Sequence, residues 1–403
     1  MKTTHEIAGW LGERAIDLGD LERAVPSGSA PLGAALDGVR VVGLGEATHG
    51  TREFFLLKHV LLRHLVEDLG FTVLAMEASV SAAAAVDDYV TGGSTDPVEA
   101  LRELGFWTWR TREVLAVLEW LREHNRTVPA SAQVRFVGID PQFAQASLQW
   151  LSANTSGHAA LLDRLSPVAA ARLGVGRPLD PNLADDARHL MDALAQAPGD
   201  AAAHARTVWQ CASLIARPFR HTDPRQTVSA LRDEFLADNV GLLLRDPTAR
   251  VAVWAHNGHV KKSPMTGTDI PTMGRHLAHR LGDAYYALGL LFGGGTFRAR
   301  RMRFGRPASG GGPGTRRVPP VEGNPTVVES WLAAVEPDNF VVDLRHGERP
   351  EEVAGWLSGR NNMRAFGAAV GWLTYKFSFM PTVLADDFDG LAYVARGTCS
   401  RPL

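Results

Sequence analysis

The stretch Gly43-Leu44-Gly45-Glu46-Ala47-Thr48-His49-Gly50-Thr51 constrains the fold of this chain more than any other. The apolar, β-branched run Val39-Arg40-Val41-Val42 precedes it and has the length and composition of a strand. An amphipathic run from Arg52 to Leu69 follows, with Phe54, Leu57, Leu61 and Leu65 at helical spacing. A second strand-like run, Phe71 to Met76, ends in Glu77. Strand, helix and strand in succession form a βαβ unit with parallel strands. Glu46 and Glu77 are therefore expected at the carboxyl ends of neighbouring parallel strands, where open α/β sheets bind their ligands.

The same pattern recurs. Val134 to Ile139 reads as a strand and ends in Asp140; Pro141 stops the ladder. Arg250 to Ala255 reads as a strand and runs into His256-Asn257-Gly258-His259. Further strands are expected at Ala284–Phe292, Phe340–Leu344, Phe366–Tyr375 and Gly390–Val394. Residues 143–245 lack convincing strands and are rich in Ala, Leu and Arg, which predicts packed helices inserted over the sheet as a lid. Arg232 lies on a polar stretch of that insertion, whose charges either form a solvated helix face or let Arg232 reach towards the sheet. The expected organisation is an α/β core with a central, mostly parallel sheet, built from residues 1–142 and 246–403 and interrupted by the helical insertion at 143–245. The segment Arg298 to Pro320 is rich in Gly, Arg and Pro and predicts a mobile surface loop, whose arginines are either simply solvated or attract an anionic group on a substrate.

Several function classes are excluded or disfavoured. Gly43-x-Gly45-x-x-Thr48 lacks the third glycine of a dinucleotide fingerprint, and Glu46 would point a carboxylate at a pyrophosphate. There is no P-loop and no Gly-x-Ser-x-Gly nucleophile elbow. A net charge of -2 gives no general attraction to nucleic acid or anionic membranes. The two cysteines, Cys211 and Cys399, fit a reducing compartment, and no apolar run approaches membrane-spanning length. The N-terminal residues 1–20 carry four acids and read as an amphipathic helix, so a cytoplasmic protein is expected.

What remains is a set of carboxylates and histidines at strand ends. Glu46 lies three residues from His49, and a carboxylate that orients an imidazole raises its basicity. Without a nucleophile, such a pair activates water or moves a proton on the substrate. His49, His256 or His259 with Glu46, Glu77 or Asp140 is an alternative metal site, but the spacing matches no zincin signature. Each acid taken singly is also a plausible helix cap. Trp107 and Trp109 sit in an aromatic cluster that serves either as core or as a substrate wall.

Taken together, Gly43-x-Gly45-Glu46-Ala47-Thr48-His49-Gly50-Thr51, the Glu77 strand end, Gly138-x-Asp140, Arg232-Asp233 and Trp254-Ala255-His256-Asn257-x-His259 resemble the erythromycin esterase family. That resemblance runs through most of the chain and is weakest after about Leu344. It implies a deep cleft in an α/β core and cofactor-free, metal-independent hydrolysis of a macrolactone ester. It implies that His49 is the general base, that Glu46 and Glu77 orient groups in the cleft, and that His256 assists. A basic residue of the family, commonly Arg, corresponds to Lys58 here, which lacks the planar fork of a guanidinium. Lys58, Asp140, Arg232, His259, Trp107 and Trp109 are the expected substrate-binding residues. Two other classes stay open on the same scaffold: a tailoring enzyme of natural-product biosynthesis (cyclase, isomerase or lyase), and a non-catalytic small-molecule binding protein.

Overall fold

A computed structural model describes residues 2–23, 30–173, 180, 182–303, 306–307, 312–371 and 374–403. In chain order its strands are β1 (Ile16–Asp17), β2 (Val41–Leu44), β3 (Val73–Ser79), β4 (Arg135–Asp140), β5 (Val251–Trp254), β6 (Tyr285–Phe292) and β7 (Gly295–Arg303). They continue with β8 (Arg306–Pro307), β9 (Gly314–Val318), β10 (Asn339–Asp343), β11 (Asn361–Arg364), β12 (Ala369–Gly371), β13 (Phe379–Thr382) and β14 (Gly390–Val394). The central sheet has eight strands in the order β1-β10-β14-β6-β2-β5-β3-β4. From β14 to β4 every pairing is parallel, and β10 and β1 add an antiparallel edge. Every residue of β2, β3, β5, β6 and β14 is buried, as expected of parallel strands covered by helices on both faces.

The strand order corrects one expectation. Glu46 and Glu77 do not leave neighbouring strands, because β5 inserts between β2 and β3. The connection through helix Arg52–Glu67 skips one position, and β5, from much later in the chain, fills it. The loop that carries His256 and His259 therefore lies between the two acids.

The helical stretch divides by packing. Helices Gln145–Asn154, Ala159–Ala170, Asn182–Ala193 and Ala201–Ile215 enclose their own apolar cluster, including Leu151, Leu165, Leu190 and Val208. The next helix, Val228–Leu243, contributes Leu236, Ala237 and Val240 to the main core against the sheet. At the N-terminus the amphipathic reading holds as helix Lys2–Arg14, with Ile7, Trp10 and Leu11 buried, but the chain then enters β1.

Two late segments differ from expectation. Arg298–Pro320 is not a loop among its described residues: β7 pairs antiparallel with β9 and with the short β8, and parallel with β12. Phe297, Ala299 and Val318 are buried, and this alternation holds the ribbon despite its Gly, Arg and Pro content. Residues 304, 305 and 308–311 of that segment lie outside the described residues. The strand expected over Phe366–Tyr375 shrinks to β12, followed by a 3-10 turn at Thr374–Phe377, with 372 and 373 outside the described residues. Hydropathy also gave no sign of β11 and β13, an isolated antiparallel pair.

One irregularity in the sheet positions an acid. The β3–β4 ladder runs in register to Met76↔Gly138 and resumes at Ser79↔Asp140. Three steps on β3 thus oppose two on β4, which is a β-bulge containing Glu77, and bulges re-aim side chains. Gly138 has to be glycine because a Cβ there would run into the carbonyl oxygens of Ser79 and Ala78. Gly138→Ala should therefore cost about 1–3 kcal/mol of stability, the usual range for overpacking, and should displace Glu77. Urea denaturation checks the first effect, and an unchanged midpoint would refute the steric reading of the bulge.

Candidate active site

The turn after β2 is built by close approach. Gly43 and Gly45 do not have positive φ, so what glycine contributes here is room for neighbouring groups and not a left-handed turn. A Cβ on Gly45 would meet the side-chain oxygen of Asn257 and the carbonyl of Leu288, and one on Gly50 would meet the backbone of Arg298. Asn257 is fully buried and bonds both backbone groups of Leu290, donating to the carbonyl at 2.9 Å and accepting from the amide at 3.1 Å. Its own amide donates to the Glu46 carbonyl. Phe366 donates to the Ala47 carbonyl, and both Arg298 and Ser400 donate to that of Gly50. Residues from four distant parts of the chain thus fix one turn.

Within it, Glu46 is 0% exposed. Its Oε1 lies 2.7 Å from His49 Nδ1, and its Oε2 accepts from Lys58 Nζ at 2.8 Å. Lys58, on helix Arg52–Glu67, is also 0% exposed; it donates to the Ala255 carbonyl at 3.3 Å and lies over the Trp254 ring at 4.7 Å. Burial alone would raise the Glu46 carboxyl, but Lys58 and then His49 offset it and hold it below the ordinary value. Burial pulls the Lys58 ammonium down to about 8, with Glu46 resisting. The His49 side chain is 12% exposed. With Nδ1 engaged by Glu46, no described residue hydrogen-bonds its Nε2. The Trp109 ring meets the imidazole edge-on at 6.0 Å, and His256 packs against it at 5.0 Å.

The second half of the site is a buried ionic network. Arg232, on helix Val228–Leu243, donates at 2.7 Å both to Glu77 Oε1 and to Asp140 Oδ2, with a further 3.3 Å bond to Asp140 Oδ1. The other oxygen of Glu77 accepts from the His256 amide at 3.0 Å. His259 Nδ1 lies 2.9 Å from Asp233 Oδ1 and its Nε2 lies 3.3 Å from Glu77 Oε1. Burial would lower the His259 imidazolium and Arg232, 3.0 Å away, opposes it as well, but Asp233 and Glu77 outweigh both and hold it at about 10. Burial would raise Glu77, yet His259 and Arg232 hold it well below the carboxylate range. His256 is the contrast. Its Nε2 donates to the Phe366 carbonyl at 3.2 Å, and its Nδ1 accepts from the Gly258 amide at 3.0 Å. Burial, then the neighbouring His49, presses its pKa down to about 3, so the ring is neutral.

The structure therefore brings Glu46, His49, Lys58, Glu77, Asp140, Arg232, His256, His259 and Trp109 together. Four carboxylates, Glu46, Glu77, Asp140 and Asp233, face three cations, Lys58, Arg232 and the His259 imidazolium, which leaves one negative charge in excess. A cleft of 530 Å³ adjoins them, with Arg232, His256 and His259 on its polar side and Phe219, Val228 and Met380 on its apolar side. Lys58, Asp140 and Trp109 are buried behind this surface, and Trp109 donates to the Glu77 carbonyl. Trp107 stands apart, under the Arg298 guanidinium. Sequence reasoning quoted Asp233 and Asn257 within motifs but gave them no role; their adjacency to Arg232 and His256 was the available signal. The Phe366 backbone carried none. Cys211 is buried in the helices, and burial pushes its thiol up to about 12. Among the described residues no group of three or more His, Cys, Asp or Glu is arranged to hold a metal ion, and no helix is long and apolar enough to cross a membrane.

The chain belongs to the erythromycin esterase family, whose model matches residues 66–397. The match begins within helix Arg52–Glu67, after the Glu46–His49 turn and Lys58. The chain is 28% identical over 300 residues to erythromycin esterase type II of Escherichia coli, covering 64% of this chain and 70% of that relative. It is 26% identical over 292 residues to the type I enzyme of the same organism, covering 62% and 70%. Among solved structures, a Bacillus cereus protein superposes with a TM-score of 0.84 at 24% identity over 99% of both chains. A protein described as a succinoglycan biosynthesis protein gives 0.81 at 21% identity, over 100% of this chain and 99% of that one. An erythromycin esterase mutant in its open conformation gives 0.70 at 19%, over 97% and 98%. These structural likenesses show a shared fold.

Two outcomes follow from the electrostatics. Lys58→Met leaves the Glu46 carboxylate buried without its cation and should cost about 3–5 kcal/mol in urea denaturation; a loss under ~1 kcal/mol, as for a surface pair, would contradict the pairing. His259 has a folded pKa of about 10 against 6.5 for the free side chain. The folded state therefore binds more protons between these values, and stability falls as pH rises. Its contribution should be complete below pH 6.5 and lost as pH rises through about 10. In His259→Gln the decline over that window should flatten; an identical pH profile in both proteins would show that His259 is not held as an imidazolium.

Proposed function

We propose that this chain is a hydrolase that opens an ester or lactone with water activated by His49. The observation that carries the reading is the 2.7 Å contact of His49 Nδ1 with the buried Glu46 carboxylate, which leaves Nε2 as the basic atom. A water at Nε2 gives up its proton as its oxygen bonds to the substrate carbonyl. The His49 imidazolium formed is stabilised by Glu46, and it neutralises the excess negative charge of the surrounding cluster. Collapse of the tetrahedral intermediate breaks the carbon–oxygen bond to the leaving alkoxide, which takes the proton back from Nε2. No covalent enzyme intermediate is required.

Lys58 keeps Glu46 ionised and oriented. Glu77 orients the His256 loop through its bond to the His256 amide and anchors Arg232. Both His256 ring nitrogens are occupied by backbone groups, so we assign it to holding the His49 ring in place and not to proton transfer. Arg232 and the His259 imidazolium supply the positive side of the cleft, where an oxyanion would develop. The substrate class is supported by the family, whose Escherichia coli members are named for erythromycin, and by the mixed polar and apolar cleft.

The test is mass spectrometry of macrolactones incubated with the protein in oxygen-18 water, with a parallel sample containing EDTA. A mass gain of one labelled water, unaffected by EDTA, is expected. His49→Ala should lower kcat by about 10²–10⁴, the usual contribution of a positioned base. Undiminished turnover in that variant would remove His49 from the mechanism, and conversion without label would favour ring chemistry of the tailoring kind.

A further inference from the structure

The ribbon β7–β9 leaves a positive charge beside the catalytic turn that no described acid neutralises. Between Gly295 and Val321 every charged residue is an arginine. The chain as a whole has a net charge of -2, so this is segregation and not overall basicity. Arg298 stands where the ribbon meets the turn. Its amide donates to the Gly50 carbonyl at 3.0 Å, one residue from His49. Its guanidinium lies 5.2 Å from the Trp107 ring centre, and its Nη1 is buried with no hydrogen-bond partner. The carboxylate whose field reaches it, Glu113, is already bonded to Arg401 at 2.8 Å and lies 3.5 Å from Arg52. Arg110 adds a second positive charge near it. Across the ladder from Arg298 is Thr315, whose hydroxyl is 3.5 Å from the Cys399 thiol.

A second arginine of the ribbon shows the same imbalance. Arg316 pairs across the ladder with Phe297, is 8% exposed, and has a buried Nε without a partner. Burial and the neighbouring Arg301 both press its pKa down. Being on the other face of the ribbon from Arg298, it adds to the local field and not to the same contact. Buried polar and charged groups are ordinarily paired. A guanidinium left without a counter-ion, on a strand whose backbone meets the turn that carries His49, is a place for a ligand to supply one.

We propose that Arg298 binds a carboxylate of the substrate, so that the ester this chain hydrolyses is an acidic one. The planar fork of Arg298, lying 5.2 Å from the Trp107 ring centre, matches a planar two-oxygen group. The Arg298 backbone amide meets the turn at Gly50, the residue after His49, and this adjacency is the ground for placing both on one substrate. This rests on the reading of His49 as the hydrolytic centre.

The probes are a matched pair: para-nitrophenyl pentanoate, which is neutral, and mono-para-nitrophenyl glutarate, which has the same carbon count and ends in a carboxylate. At low ionic strength kcat/KM should favour the glutarate ester by about tenfold, the worth of one charge-assisted bond. The preference should reside in KM, collapse in Arg298→Gln, recover in part in Arg298→Lys, and weaken with added salt. A ratio near one, or a ratio that survives in Arg298→Gln, would overturn the proposal while leaving hydrolysis intact. Calorimetric titration with the glutarate monoanilide, which is not readily hydrolysed, separates the two readings. Binding to the wild-type protein that weakens about tenfold in Arg298→Gln supports the carboxylate site even if neither ester turns over, in which case the hydrolytic reading fails. No binding, or equal binding to both proteins, overturns the site. Circular dichroism of each variant confirms that the fold is retained.

Discussion

The carboxylate of Glu46, with no exposed surface, holds two partners at once, the Lys58 ammonium and the His49 imidazole. A buried carboxylate is costly unless its charge is met and its lone pairs are used. Lys58 meets the charge from helix Arg52–Glu67, and His49 uses the other oxygen. Each partner thereby acquires a fixed position: the ammonium against the Ala255 carbonyl and the Trp254 ring, the imidazole between Trp109 and His256. The strand, the helix and the turn that link them can tolerate little displacement, because any loosening would leave a charge alone in the interior.

The glycines around this site express the same constraint in steric form. Gly45, Gly50 and Gly138 are each pressed against backbone or a buried side chain from another part of the chain. They let the Asn257 side chain, the Arg298 strand and the Glu77 bulge approach more closely than any Cβ allows. A site made of side chains from the turns after β2 and β5, from β3 and β4, and from helices Arg52–Glu67 and Val228–Leu243 thus depends on positions that carry no functional group at all.

The two histidines after β5 lie three residues apart and have opposite electrostatic fates. His259 faces two carboxylates and is held charged, whereas His256 is buried against backbone groups and a neighbouring ring and is held neutral. The same contrast of environments lets a cluster combine a fixed cation with a rigid, uncharged wall beside His49.

Much of this was legible in the residues. Strand-length apolar runs ending in Glu46, Glu77, Asp140 and His256 gave the parallel sheet and the end of it that matters, because hydrophobic periodicity and chain direction are local properties. Lys58 was legible as a candidate through the family resemblance and Arg232 from its motif, and the ribbon's arginines from composition. What the sequence could not supply was partnership. That β5 lies between β2 and β3, that Asp233 meets His259, that Phe366 caps His256, and that Arg298 abuts Gly50 all depend on contacts between segments far apart in the chain. Spacing fixes which face a residue occupies, and only tertiary packing decides what stands opposite it. The ribbon shows the limit most plainly, since its Gly, Arg and Pro content is that of a loop and its strands exist because Phe297, Ala299 and Val318 find a core to bury against.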